Sequence, residues 1–148
     1  MPPLSKTPLV SRHFTNPDIH PFDMVEWDER SSKITNEKGE TVFGLDNVEV
    51  PKEWTQLATD IVVSKYFRKG GVPGTGHETS VKQVVTRIAR TIRRAGEEFG
   101  GYFATPEDAD AFESELLYML ITQRGAFNSP VWFNVGHWHE YGIKGTAG

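Results

Sequence analysis

The chain has 148 residues, a net charge of −4 and no cysteine. That length suffices for one domain with a buried core, while the acidic balance argues against broad affinity for nucleic acid or membrane surfaces, since phosphate binding needs a positive field. Without cysteine the chain cannot carry a disulfide framework, a thiolate zinc site, a thiol nucleophile or a thiyl radical of its own.

Residues 1 to about 23 are rich in proline and polar residues and read as an extended arm without a packed core. No apolar run approaches the ~20 residues of a membrane span, and the opening MPPLSKTPLVSR lacks the apolar centre of a signal peptide. A cytoplasmic setting is expected, with no membrane and no direct nucleic-acid partner. Val25-Glu26-Trp27 and Glu40-Thr41-Val42-Phe43 alternate around Asn36-Glu37-Lys38-Gly39, a turn composition, which predicts a β-hairpin with a third short strand at 47–50.

Pro51 suits a first helical turn, and Trp54, Leu57, Ala58, Ile61 and Val62 follow at helical spacing, so the first helix is predicted from Pro51 to about Phe67. The glycine-rich loop 70–76 is followed by His77-Glu78 rather than the Lys-Ser/Thr of a phosphate loop, and reads as a flexible connector. Ser80 caps a second helix whose apolar stripe is Val81, Val84, Val85, Ile88, Ile92 and Ala95. Thr105-Pro106-Glu107-Asp108 opens a third, lined by Ala109, Phe112, Leu116, Met119 and Leu120 and ending near Arg124.

Several residue groups suggest chemistry. Arg87, Arg90 and Arg94 share a stripe of the second helix, read either as a solvated face or as a contact for an acidic partner or nucleotide. His137-Trp138-His139-Glu140 would place both histidines on one face of a strand, yet a metal site needs three or four ligands and the other histidines lie in loops. Glu113 and Glu115 read as solvated helix carboxylates.

The most specific stretch is Phe127-Asn128-Ser129-Pro130-Val131-Trp132-Phe133-Asn134-Val135-Gly136. Pro130 cannot donate to a sheet ladder, so a strand is predicted from Val131 to Val135, with an exposed apolar face that needs partners. Asn128 and Ser129 at its mouth offer an amide, a hydroxyl and backbone N–H groups to a polar ligand. The other reading is a buried strand that follows a polar helix cap. The predicted fold is therefore mainly α, of α+β type: arm and hairpin over 1–50, a three-helix bundle over 51–127, and a strand with its sequel over 128–148.

The Phe127–Gly136 stretch resembles a signature of class II, adenosylcobalamin-dependent ribonucleotide reductases. Ile61-Val62-Val63-Ser64-Lys65-Tyr66-Phe67-Arg68-Lys69, Ser80-Val81-Lys82-Gln83 with Arg87, Gly101-Tyr102-Phe103-Ala104 and Ala109-Asp110-Ala111-Phe112 are similar to that family's early helices. The resemblance implies a large enzyme that reduces ribonucleotides to deoxyribonucleotides for DNA synthesis by thiyl-radical chemistry, with adenosylcobalamin as cofactor and a thioredoxin-type reductant. It implies that Val131–Val135 is the first strand of a ten-stranded α/β barrel, and that Ser129, with Asn128 and Val131 beside it, contacts the ribonucleotide near its phosphates. The family's redox cysteines lie beyond the matching region. By this resemblance the chain is an N-terminal piece that needs the remaining catalytic chain or domain, whether as a truncated product, an incomplete gene product or part of a split enzyme. The contrasting reading is a stand-alone helical module that binds an acidic partner or nucleotide through Arg87, Arg90 and Arg94.

Overall fold

A computed structural model describes residues 7–144. In chain order these form a 3-10 turn (Pro21–Met24), strands β1 (Trp27–Thr35) and β2 (Thr41–Pro51), helix α1 (Gln56–Ile61) running into a π turn (Val62–Tyr66), then α2 (Val81–Phe99), α3 (Pro106–Ile121), α4 (Ser129–Asn134) and α5 (His137–Tyr141). Among the described residues no helix is long and apolar enough to cross a membrane.

The hairpin forms as its turn chemistry dictates. Asn36 Oδ1 accepts the N–H groups of Lys38 and Glu40, and Gly39 takes the positive φ the turn requires. The strands pair antiparallel from Trp27 opposite Pro51 to Thr35 opposite Thr41. The predicted third strand is the far half of β2. Three steps from Leu45 to Val48 face two from Ser32 to Arg30, and Asn47 absorbs the extra residue with φ 57, a β-bulge. Beyond it Val48 and Val50 are fully buried.

Pro51 ends β2 instead of opening a helix. Lys52 N–H still bonds to the Glu26 carbonyl, and the first helix starts only where the Thr55 hydroxyl accepts the Ala58 N–H. Arg30 clamps the hairpin onto this entry, donating to the carbonyls of Trp54 and Lys52 and to Thr59 Oγ1. The two longer helices follow their caps. Ser80 and Gln83 form a capping box at α2, and Thr105 caps α3 with Pro106 in its first turn. The core joins Val48 and Val50 of β2, Val62 and Val63, the α2 stripe, and Leu117, Leu120 and Ile121 of α3.

The arm is not loose. Glu115 is buried and accepts the N–H groups of His13, Phe14 and Thr15 as well as the Thr15 hydroxyl, while Asp108 accepts the Leu9 N–H. This corrects the reading of Glu115 as a solvated carboxylate: an arm without secondary structure must place its backbone donors somewhere. Burial raises the Glu115 pKa, but the Thr15 hydroxyl and the N–H groups of Phe14, His13 and Thr15 outweigh it, so the net shift is downward. A depressed carboxylate pKa stabilises the fold above the ordinary glutamate range and loses that contribution as pH falls through the folded-state value.

The larger correction concerns the segment predicted as a strand. Residues 129–134 are helical. Asn128 O accepts the N–H groups of Val131 and Trp132, Pro130 sits in the first turn where its missing N–H is harmless, and among the described residues no neighbouring strand is available to pair with it. Trp132 turns inward, with its indole N–H on the Phe127 carbonyl and its ring stacked on Tyr66 at 5.8 Å. Val131, Phe133 and Val135 are half-buried rather than an exposed strand face.

Each N–H bond to a carboxylate contributes about 1.5–3 kcal/mol. Glu115→Gln should therefore release the arm, and trypsin should cleave after Arg12 roughly tenfold faster or more than in the unmodified chain at neutral pH. Equal cleavage rates would show that Glu115 does not hold the arm.

Candidate functional site

Ser129 begins α4 and is exposed, as are Asn128 and Pro130. Its Oγ lies 3.0 Å from the Tyr66 hydroxyl, which belongs to the π turn. Asn128 is adjacent, with its side chain free of any cap bond to α4. Val131 packs at the edge of the core, and both of its backbone groups are engaged, the N–H on Asn128 O and the carbonyl by Val135 N–H. The structure thus brings the Ser129 hydroxyl and the Asn128 amide to the surface together, with a tyrosine hydroxyl as a third polar group, and leaves Val131 only its side chain to offer.

What holds this surface in place is a buried ion pair. Arg87 Nε lies 2.9 Å from Glu78 Oε2, and both side chains are wholly buried. The guanidinium also donates to the carbonyls of Val135, Tyr66 and Trp132. The Glu78 carboxylate accepts the Arg68 N–H and the Tyr141 hydroxyl. Five donors in a rigid fork suit Arg87 to this task, and lysine could not reproduce it. The glycine loop serves the same centre. Val72 and Gly76 bridge across it, and Glu78 N–H bonds to Arg68 O, so the loop is a connector whose two ends are tied where they deliver Glu78.

Gly136, between α4 and α5, closes the cluster. It has φ 93, and a Cβ there would lie 2.3 Å from the Arg87 carbonyl oxygen, so only glycine fits. His137 follows, buried, with neither ring nitrogen hydrogen-bonded. Burial, then the Arg87 charge, lowers its pKa to about 4, with Arg68 adding to the effect and Glu78 opposing it. Burial and the Glu78 charge push the Tyr141 phenol upward, so it remains a proton donor to Glu78.

The arginine stripe does not survive as a binding face. Arg87 is consumed in the interior. Arg90 pairs with Glu113 and Glu140, and the neighbouring Arg93 with Glu97, Asp110 and Glu113. Arg94 alone of the three is exposed without a salt bridge among the described residues. Sequence carried one signal for this: Arg87 lies three residues after Val84 and beside Ile88, at the margin of the apolar stripe. His137 and His139 lie in a helix, not a strand, and two helical residues face nearly opposite ways. Among the described residues no group of three or more histidines, aspartates and glutamates is placed to hold a metal ion.

Fold and site together define a hairpin-and-helix segment that presents polar groups, in a sequence without cysteine. The family model for class II vitamin B12-dependent ribonucleotide reductase matches residues 28–123. A vitamin B12-dependent ribonucleotide reductase of Streptomyces clavuligerus is 48% identical over 128 residues, covering 86% of this chain and 13% of its own length. That of Rhodopirellula baltica is 46% identical over 125 residues, covering 84% and 12%, and that of Agrobacterium fabrum 39% over 171 aligned positions, covering 93% and 13%. The chain belongs to the class II vitamin B12-dependent ribonucleotide reductase family. It spans about an eighth of the length of the relatives it matches.

Removing one member of a buried pair leaves the other charge unpaired, at about 3–5 kcal/mol. Glu78→Gln should lower the urea midpoint accordingly, and a loss under about 1 kcal/mol would contradict the role given to the pair. The His137 ring should titrate near pH 4 by NMR. Because that value lies below the unfolded one, the unfolded chain binds the extra proton between about pH 6.5 and 4, and stability falls across this window on acidification. His137→Phe should flatten that slope, and an unchanged slope would assign it to other groups.

Proposed function

We propose that the chain acts as the N-terminal part of an adenosylcobalamin-dependent ribonucleotide reductase in the cytoplasm, contributing to deoxyribonucleotide supply for DNA synthesis. The observation that carries this is the 48% identity to a vitamin B12-dependent ribonucleotide reductase across 86% of the chain. The sequence has no cysteine, so the cysteines that carry the radical and the reducing equivalents belong to the remaining catalytic polypeptide, which a thioredoxin-type reductant recharges.

Within this reading Ser129 binds the ribonucleotide. Its hydroxyl can both donate and accept, it is exposed beside the Asn128 amide, and its contact with the Tyr66 hydroxyl is easily exchanged for a ligand oxygen. Val131 supplies bulk beneath the bound nucleotide. The cofactor's contribution is a radical source, through homolysis of its cobalt–carbon bond. In this reading the corrinoid is held mainly by the remaining polypeptide.

The chain alone should form no deoxynucleotide. Joined to the remainder of a class II reductase, it should support formation that requires both adenosylcobalamin and a dithiol. In that assembly Ser129→Ala should lower kcat/KM about tenfold, the size of one lost hydrogen bond of roughly 1.4 kcal/mol. Turnover by the isolated chain, or an unchanged kcat/KM in the variant, would refute the assignment.

A further inference from the structure

The cleft of about 550 Å³ is lined by Lys65, Arg68 and Lys69, from the π turn and the residues after it, and by Phe133 and His137 from α4 and α5. Ser129 is not part of its lining. Three cations therefore converge on one concavity of a protein whose net charge is −4. None of them forms a salt bridge among the described residues. Their polar partners are neutral: Arg68 Nε donates to Gly70 O at 3.0 Å, and Lys69 Nζ to Ser64 O at 2.8 Å and Phe67 O at 3.4 Å. The Lys65 ammonium has no partner among the described residues. Glu78, whose field reaches Lys69, is already engaged by Arg87, the Arg68 N–H and Tyr141.

His137 adds an independent observation. It is only 2% exposed, it lines the cleft, and both of its ring nitrogens lack partners. A buried polar group left unpaired costs about 1–3 kcal/mol, and in a native structure such a group points to a missing partner. The neutral imidazole carries one N–H, so an acceptor in the cleft supplies what is missing. Burial also depresses the Lys69 pKa, against the opposing field of Glu78.

We infer that this cleft is an anion site for the phosphate of a small, nucleotide-sized molecule, with Lys65, Arg68 and Lys69 supplying the charge and His137 a buried N–H donor. Three cations and a donor match a phosphate dianion, and charge-assisted bonds of this kind are the stronger class. The local field differs in sign from the chain as a whole, so the acidic net charge does not oppose it. Ser129 borders this site through Tyr66, which lines the cleft and bonds to the Ser129 hydroxyl, but the proposal does not rest on the ribonucleotide reading.

The test is an NMR titration of the 148-residue chain with inorganic phosphate, following the His137 ring signals at constant ionic strength balanced with chloride. The site predicts a saturable shift, with a Kd on the order of 1 mM or tighter, together with a rise in the His137 pKa. Chloride should give no such shift. The double variant Lys65→Gln/Arg68→Gln should weaken binding roughly tenfold or more, whereas Arg94→Gln should leave it unchanged. A linear, non-saturating response would overturn the proposal, as would the same response to chloride. So would undiminished binding by a folded double variant. If the double variant does not fold, saturation by phosphate against chloride in the unmodified chain decides the matter.

Discussion

Glu78 and Arg87 are nine residues apart, yet their pairing determines where five segments meet. One guanidinium reaches the carboxylate, the π turn at Tyr66, α4 at Trp132 and the α4–α5 junction at Val135. One carboxylate reaches back to Arg68 and forward to Tyr141. Two buried charges are expensive to desolvate, and this pair is tolerable only because nearly every donor and lone pair is used. The consequence is directional. α4 and α5 are six and five residues long, too short to hold themselves, so their position depends on the carbonyl bonds that Arg87 supplies.

This dependence ties fold to function. Ser129 stands on α4, against Tyr66 of the π turn, and both elements hang on Arg87. The basic cleft has the same foundation, since its Phe133 and His137 come from α4 and α5 and its cations follow the π turn. The cluster keeps His137 neutral near pH 7 and keeps Tyr141 a donor. A family member that spans about an eighth of its relatives' length thus carries its polar surfaces on elements fixed by one interior pair.

What was local in the chain was legible in its sequence. The hairpin turn at Asn36–Gly39, the Ser80–Gln83 capping box and the Thr105-Pro106 start all work within four residues, and each element begins or turns where those residues say. The family was also readable, because its motifs are ordered strings. Non-local features were not. The Glu115–arm bonds span about a hundred residues, and nothing near Glu115 marks it as buried. Arg87 looked like a surface residue because its partner sits behind a glycine loop. The alternation of Val131, Phe133 and Val135 fits a strand as a pattern, but over so few residues it does not exclude a helix. Without a strand to pair with, the backbone satisfies itself locally. Pro51 carries a related ambiguity: a proline that suits a first helical turn also fits an edge strand, where it stands at the end of β2.

The direct test of the claim that one interior pair positions both surfaces is native-state hydrogen exchange on the chain and its Glu78→Gln variant. The amides of Trp132, Val135 and Glu140 should lose protection together, while those of the β1–β2 hairpin and the middle of α2 keep theirs once the global change in stability is subtracted. Retained protection at Trp132, Val135 and Glu140 would show that α4 and α5 are held by packing alone, and would contradict that claim.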